Sequence, residues 1–145
     1  MRSLSTRSLI TACLLALSQV LPAPLAAQSA GNFELELNNT ESVEGGCRLT
    51  FVAKNATGTA LEQAAYDVAV FDDTGAVSDR LILEFGRLPQ DKTRVVQFLL
   101  DRDCGRVSRL LLNGAEQCTP ETGGESRICM DALAPGSRTD VQFGS

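Results

Sequence analysis

The cysteines are the residues whose type and spacing most clearly predict chemistry in this chain. Five occur, and four of them, Cys47, Cys104, Cys118 and Cys129, lie after residue 27. Zinc sites built on cysteine usually bring their ligands in close pairs such as Cys-x-x-Cys, and no such pair is present in the sequence. An even number of cysteines in a small exported domain predicts two disulfide bonds instead of a metal site.

The chain contains no histidine, which removes several classes of enzyme at once. Ser-His-Asp and Cys-His catalysis, histidine-ligated metals and imidazole acid–base chemistry all need that side chain. Ser42, Ser78 and Ser108 lie in no glycine elbow, and Lys54 and Lys92 follow no Ser-x-x-Lys motif. We therefore predict a protein without catalytic residues, metal or cofactor.

Carboxylates are the remaining acid–base groups, and four cluster early in the chain at Glu34, Glu36, Glu41 and Glu44. A hydrolase that acts on glycans with carboxylates alone is the enzymatic alternative. It needs a cleft that holds two acids roughly 5–10 Å apart, one with a raised pKa. Alternation of charged and apolar residues places Glu34 and Glu36 on the solvent face of a strand, which favours ordinary surface charge.

Other polar motifs have simple structural interpretations. Residues 72–75 (Asp-Asp-Thr-Gly) are typical of a turn and lack the further oxygen ligands of a calcium loop. The arginines around Cys104 are interrupted by aspartates, so we interpret them as surface charge. Asn38-Asn39-Thr40 and Asn55-Ala56-Thr57 match the N-glycosylation sequon, which is a coincidence if the host is bacterial.

The first residues predict export. Two arginines precede an apolar stretch, residues 9–21, that is too short to span a bilayer and is followed by prolines and small residues. We predict a signal peptide over 1–27, cleaved between Ala27 and Gln28, with cleavage after Ser29 as the alternative. A flexible lead-in, 28–32, would then precede one domain, 33–145, in a periplasmic or secreted protein.

The net charge of the predicted mature chain limits the classes of molecule that it can bind. Residues 28–145 carry 18 acidic and 11 basic side chains, a net charge of −7. Such a surface repels nucleic-acid phosphates and anionic lipid. No apolar stretch after residue 27 is long enough for a membrane span, so we expect neither nucleic acid nor membrane as a partner.

Short alternating segments separated by turns predict an all-β domain. Residues 61–72 fit both helical and strand spacing, and we favour a strand from Ala65. In residues 93–101, either Val96, Phe98 and Leu100 or the intervening residues face inward. We predict strands at Phe33–Leu37, Cys47–Asn55, Ala65–Phe71, Arg80–Leu88, Thr93–Asp101, Arg106–Leu112 and Thr139–Phe143, with a loop at 38–46, a turn or bulge at Asn113-Gly114 and an exposed loop at 119–125.

Seven short strands with regular turns predict a single immunoglobulin-like antiparallel β-sandwich. Consecutive strands would alternate in direction, so Cys47, which opens the second strand, and Cys104, which precedes the sixth, lie at one end. Cys118 and Cys129 lie at the opposite end. The predicted pairs are therefore Cys47–Cys104 and Cys118–Cys129.

The middle of the chain also resembles a known family. Residues 51–55 (Phe-Val-Ala-Lys-Asn), 66–75 (Tyr-Asp-Val-Ala-Val-Phe-Asp-Asp-Thr-Gly) and Leu88-Pro89 resemble the bacterial immunoglobulin-like domains called FxLYD, over about residues 47–100. The chain departs from that pattern at Phe71, where the family often has tyrosine, and at Gln90, where it has glycine. The resemblance implies an immunoglobulin-like sandwich outside a bacterial inner membrane and brings no catalytic or binding residues.

These observations together predict a non-enzymatic periplasmic protein. We expect a protein-interaction or envelope accessory module whose partner is another envelope or periplasmic protein, because the free edges of such sandwiches can accept partner strands. A carboxylate-based glycan hydrolase and a small-ligand binding protein are the alternatives. The latter requires a sizeable apolar cavity.

Overall fold

Apolar side chains on alternate residues form the core of the computed structural model, which describes residues 31–145. In the first strand, β1 (Phe33–Val43), Phe33 and Leu35 are fully buried and Glu34 between them is exposed. The second strand buries Cys47, Leu49, Phe51 and Ala53 in the same way. The predicted signal peptide and its cleavage site at Ala27–Gln28 lie outside the described residues.

Eight strands form two four-stranded sheets, which confirms the predicted sandwich with one strand more than expected. Sheet A has the order β5-β2-β1-β7 and sheet B the order β4-β3-β6-β8. A 3₁₀ turn, Cys104–Arg106, precedes β6, and one short helix, α1 (Ile128–Asp131), follows it. The other strands are β2 (Gly46–Asn55), β3 (Leu61–Phe71), β4 (Val77–Leu88), β5 (Thr93–Leu100), β6 (Arg109–Pro120), β7 (Leu133–Ser137) and β8 (Gln142–Gly144).

The sandwich is not wholly antiparallel, in contrast to the prediction. Leu133, the first residue of β7, lies beside Phe33, the first residue of β1, and the two strands run in the same direction. β8 likewise pairs in parallel with the beginning of β6. The last segment of the chain therefore adds one parallel strand to each sheet.

The predicted loop at 38–46 is wrong except for its final turn. β1 continues to Val43 and pairs with β2 as far as Gly46, after a register shift that follows Leu37. The polar residues here form a strand because the hairpin partner supplies their backbone hydrogen bonds. Gly46 closes that hairpin at a φ of 140°, and a Cβ there would lie 2.1 Å from the Leu100 carbonyl oxygen.

The predicted last strand, Thr139–Phe143, is wrong over its first half. Residues 138–141 form a turn, in which the Ser137 hydroxyl accepts from the Thr139 N–H (3.1 Å) and donates to the Val141 carbonyl (2.7 Å). β7 was not predicted, because Pro135 and Gly136 are poor strand formers. Pairing with the parallel strand β1 makes these residues a strand instead.

The strands in the middle of the chain need smaller corrections. The ambiguous stretch is strand from Leu61 to Phe71, so the helical alternative is wrong. The strand predicted at 106–112 begins at Arg109, after the 3₁₀ turn, and runs to Pro120, beyond the start of the loop predicted at 119–125. The Asn113-Gly114 signal marks a bulge, because the register with β3 shifts there.

Two disulfide bonds join the sheets to the segments outside them. They link Cys47 to Cys104 and Cys118 to Cys129, the pairs that the sequence predicts. The first ties β2 to the 3₁₀ turn, and the second ties β6 to α1. No helix in residues 31–145 is long and apolar enough to cross a membrane.

Tyr66 lies at the centre of the core and connects it to α1. Its ring stacks on Phe33 (centroids 6.2 Å apart) and meets the edge of Phe85 (6.0 Å). Its hydroxyl donates to the Cys129 carbonyl oxygen at 2.8 Å, and burial raises the pKa of the phenol. The short helix is therefore held from inside by a hydrogen bond as well as by its disulfide.

We expect Tyr66→Phe to lower the free energy of unfolding by about 1–2 kcal/mol, because it leaves the buried Cys129 carbonyl without this donor. Urea denaturation monitored by circular dichroism measures the change. Thr50→Val serves as control, since it removes an exposed hydroxyl that accepts only from the Gln97 amide, and should change stability by less than about 0.5 kcal/mol. Equal effects of the two substitutions would contradict a stabilising role for the hydrogen bond from Tyr66 to the Cys129 carbonyl.

Candidate functional site

The early carboxylates that could serve a hydrolase do not converge. Glu34 pairs with Lys54 (3.2 Å) and Glu41 with Arg48 (2.9 Å), each pair exposed. Glu36 accepts from Asn38 and Arg138, and these hydrogen bonds lower its pKa. A general acid needs a raised pKa, so the shift at Glu36 has the wrong direction for that role.

Two concavities in the described residues have volumes of about 490 Å³ each. The first is an open polar cleft between β1, the 3₁₀ turn and residues 138–141, and Asp140 is the single carboxylate in its lining. The second lies between Asn32 and α1, and its lining includes Gly31, the first described residue. Within residues 31–145 no three His, Cys, Asp or Glu side chains are grouped closely enough to hold a metal ion.

The remaining motifs have structural roles. Asn55 is fully buried, which leaves that sequon inaccessible in the folded protein. Asp72 accepts from the Thr74 and Ala76 N–H groups, as a turn residue does, and its pKa is lowered by the Thr74 hydroxyl first. Arg106 pairs with Asp73 at 3.0 Å and the Arg109 guanidinium lies over the Phe71 ring, whereas the buried Nε of Arg102 has no hydrogen-bond partner among the described residues.

The sheet edges are a further feature able to bind another molecule, because edge strands carry backbone groups without a partner strand. The edges are β5 and β7 in sheet A, and β4 and β8 in sheet B. β8 has three residues, and β7 has five, including Pro135, which lacks an N–H. Both are too short or too interrupted to guide a second strand.

The β4 edge is covered by a side chain from β5. Nη1 of Arg94 donates to the carbonyl oxygens of Phe85 (3.3 Å) and Arg87 (2.5 Å). Between those residues Gly86 has a φ of 66°, and the pairing of β4 with β3 shifts register near it. Irregular backbone and an inserted charge are the devices by which natural sheets prevent edge pairing.

β5 itself has a regular backbone, and its one charged side chain, Arg94, reaches across to β4. Its residues from Thr93 to Leu100 pair with β2 without a register shift and include no proline or glycine. The Asn55 N–H donates to the Lys92 carbonyl (3.1 Å), so that carbonyl points towards β2. Backbone groups of successive strand residues point to opposite sides, so those of Val95, Gln97 and Leu99 point away from β2. We call these three residues the β5 edge.

The most exposed apolar side chains lie on the two edge strands β5 and β4. The large apolar side chains with the greatest exposure in the described chain are Val95 (64 %), Leu99 (61 %), Val77 (58 %) and Ile82 (44 %), all on β4 or β5. Val96 and Phe98 face the core but are only partly buried. Of the two inward sets that the sequence allows for β5, the structure has Val96, Phe98 and Leu100.

Comparison of the chain with protein families, with curated proteins and with solved structures finds no match. The resemblance to FxLYD domains therefore stays a prediction, and the geometry of the β5 edge is the basis for assigning a function.

Sequence reasoning did not single out the β5 edge, although a signal was present. In the first half of β1 the apolar residues lie on one face only. The segment Val95-Val96-Gln97-Phe98-Leu99-Leu100 is apolar on both faces. In a strand with one face on the core, that pattern indicates a second contact on the other face.

Proposed function

We propose that this chain is an exported, non-enzymatic module that binds an extended segment of another polypeptide along the β5 edge. The observation that carries the proposal is the unprotected β5 edge itself: a regular strand, eight residues long, with two exposed apolar side chains. In this mode of recognition, main-chain hydrogen bonds supply affinity and alternate side chains supply specificity.

A periplasmic location and an envelope accessory role fit the same features. Two intramolecular disulfides are stable in an oxidising compartment, where a strand-binding module would meet other envelope proteins. The net charge of −7 for residues 28–145 disfavours nucleic acid and anionic lipid as partners. The partner is therefore proposed to be a protein.

The two alternatives have less support. A glycan hydrolase would use paired carboxylates in a deep cleft. The polar cleft beside Asp140 has one in its lining, and a smaller cleft of about 290 Å³ beside β6 has Glu116 and Glu125, both of which are exposed. A small-ligand protein would use an apolar cavity, whereas the apolar side chains between the sheets pack directly on one another, as Phe51 does on Phe85 (5.7 Å) and Phe143 (5.2 Å).

Crosslinked pull-down from the native periplasm tests the proposal. The tagged mature protein is compared with Leu99→Lys, which places a charge on the β5 edge, and with Val77→Lys, an equally exposed position on the covered strand β4. We expect one stoichiometric partner with the wild-type protein and Val77→Lys, and at least a tenfold loss with Leu99→Lys. Capture that Leu99→Lys leaves unchanged would contradict the β5 edge as the binding surface.

A further inference from the structure

We infer that the segment accepted by the β5 edge is β5 of a second copy of this chain, antiparallel to the first about a two-fold axis at Gln97. The inference rests on the proposed function, because it takes the β5 edge as the contact surface. It adds the identity of the partner strand and its register.

The side chains of the β5 edge are complementary to themselves. In an antiparallel pair centred on Gln97, Val95 of one copy lies opposite Leu99 of the other, and the same contact repeats across the axis. Both side chains are more than three-fifths exposed in the single chain. A shift of the centre by one residue would instead place Val95 opposite Gln97 and Leu99 opposite Thr93, which pairs apolar with polar groups.

The backbone allows the same register. Val95, Gln97 and Leu99 direct their N–H and C=O groups towards the free side, as inferred above from the Lys92 carbonyl. Opposite residues of this type exchange two hydrogen bonds, so the three pairs supply about six. The Gln97 amide does not obstruct the approach, since it donates to the Thr50 hydroxyl on the face of sheet A (3.1 Å).

Charge favours an antiparallel second copy. Residues 91–94, where β5 begins, have one acidic and two basic side chains, a net charge of +1, and residues 101–103, just after β5 ends, have two acidic and one basic, a net charge of −1. Antiparallel pairing brings these ends together, so the attraction is between their net charges and not between residue pairs, because Lys92 comes opposite Arg102. Arg102 lies between the two aspartates in sequence. Its charge attracts the Asp72 carboxylate of its own chain and helps to lower the pKa of that group.

The same pairing would cover two partly exposed residues of the core. Val96 and Phe98 pack against the buried cluster but stay partly exposed, and β5 has no strand on its outer side. In the proposed register Val96 lies opposite Phe98 of the second copy, so both receive an apolar neighbour on their open side. The two A sheets would join into one sheet of eight strands, four from each copy.

A cysteine placed on the axis tests the register. In the Gln97→Cys variant, the two residues at 97 face each other with Cα atoms about 5.5 Å apart, a spacing that a disulfide bridges. Val95→Cys is the matched control, because the two copies of residue 95 are then about 13 Å apart along the strands. We expect a reducible dimer from Gln97→Cys and none from Val95→Cys, with the bond located by non-reducing peptide mapping.

The outcomes separate this inference from the proposed function. Equal crosslinking of both cysteine variants, or sedimentation of the wild-type mature protein as a monomer at high micromolar concentration, overturns the second copy as partner. If Leu99→Lys nevertheless abolishes capture of a periplasmic protein, the β5 edge remains a binding surface for that protein. The proposed function and the second copy as partner are both supported if the wild-type protein is a dimer that Leu99→Lys dissociates and Val77→Lys leaves intact.

Discussion

Replacing Cys47 and Cys104 together by alanine should lower the free energy of unfolding by about 4 kcal/mol in the chain-entropy model. The bond spans 57 residues, so its loss greatly enlarges the unfolded ensemble. Cys47 is fully buried in β2, and the bond fixes the chain just after β5. Against a typical domain stability of about 5–15 kcal/mol, this is a large fraction.

The second disulfide provides the comparison. Replacing Cys118 and Cys129 by alanine should cost about 3 kcal/mol, because that bond spans only 11 residues. Guanidinium denaturation of the two double variants under non-reducing conditions, which keep the remaining disulfide intact, shows which loss is larger. A larger loss for the short-range bond would mean that native-state packing, and not chain entropy, dominates both effects.

The second large effect concerns Asn55, the one fully buried polar side chain among the described residues. Its amide nitrogen donates to the carbonyls of Thr59 (2.8 Å) and Leu88 (2.9 Å), and its oxygen accepts from the N–H (3.1 Å) and hydroxyl (2.7 Å) of Thr57. These bonds hold the connection between β2 and β3 against the end of β4. Asn55→Ala should therefore cost about 3 kcal/mol, because the buried Leu88 carbonyl and the partly buried groups of Thr57 and Thr59 lose these hydrogen bonds.

Asn38→Ala is the matched control. Asn38 is half-buried at the β1 bulge and its side chain makes one hydrogen bond, to Glu36 (2.9 Å). Its loss should cost less than about 1 kcal/mol, and urea denaturation of both variants measures the difference. Equal losses would show that the Asn55 contacts are replaced by water.

Much of the fold follows from the local pattern of the sequence. The alternation Phe33-Glu34-Leu35 predicts the burial of β1, and the turn residues at 72–75 locate the connection between β3 and β4. The cysteine pairs follow from the ends at which strands begin and finish. These features depend on residues close in sequence, or on the rule that consecutive antiparallel strands alternate in direction.

The features that the sequence does not predict depend on distant partners. β7 contains Pro135 and Gly136 and becomes a strand because β1 lies beside it. The polar residues before Val43 become a strand because β2 pairs with them. The candidate site belongs to the same class: an edge is defined by the order of strands in a sheet, and that order is a property of the whole chain.

The β5 edge differs from the other three sheet edges, each of which has a feature that hinders pairing with another strand. Pro135 limits β7, β8 is three residues long, and Arg94 covers the carbonyls of β4. β5 alone combines regular backbone with exposed Val95 and Leu99. An open apolar edge is an aggregation hazard unless it is used, which is why we assign it to strand pairing.

Residue-resolved amide hydrogen exchange of a chain of residues 28–145, measured across a dilution series, tests the central claim most directly. We expect the Val95, Gln97 and Leu99 amides to exchange rapidly when dilute and slowly when concentrated, while those of Val96 and Phe98, bonded to β2, stay protected throughout. Rapid exchange of the Val95, Gln97 and Leu99 amides at every concentration, or association that protects another strand instead, would contradict the β5 edge as the contact surface.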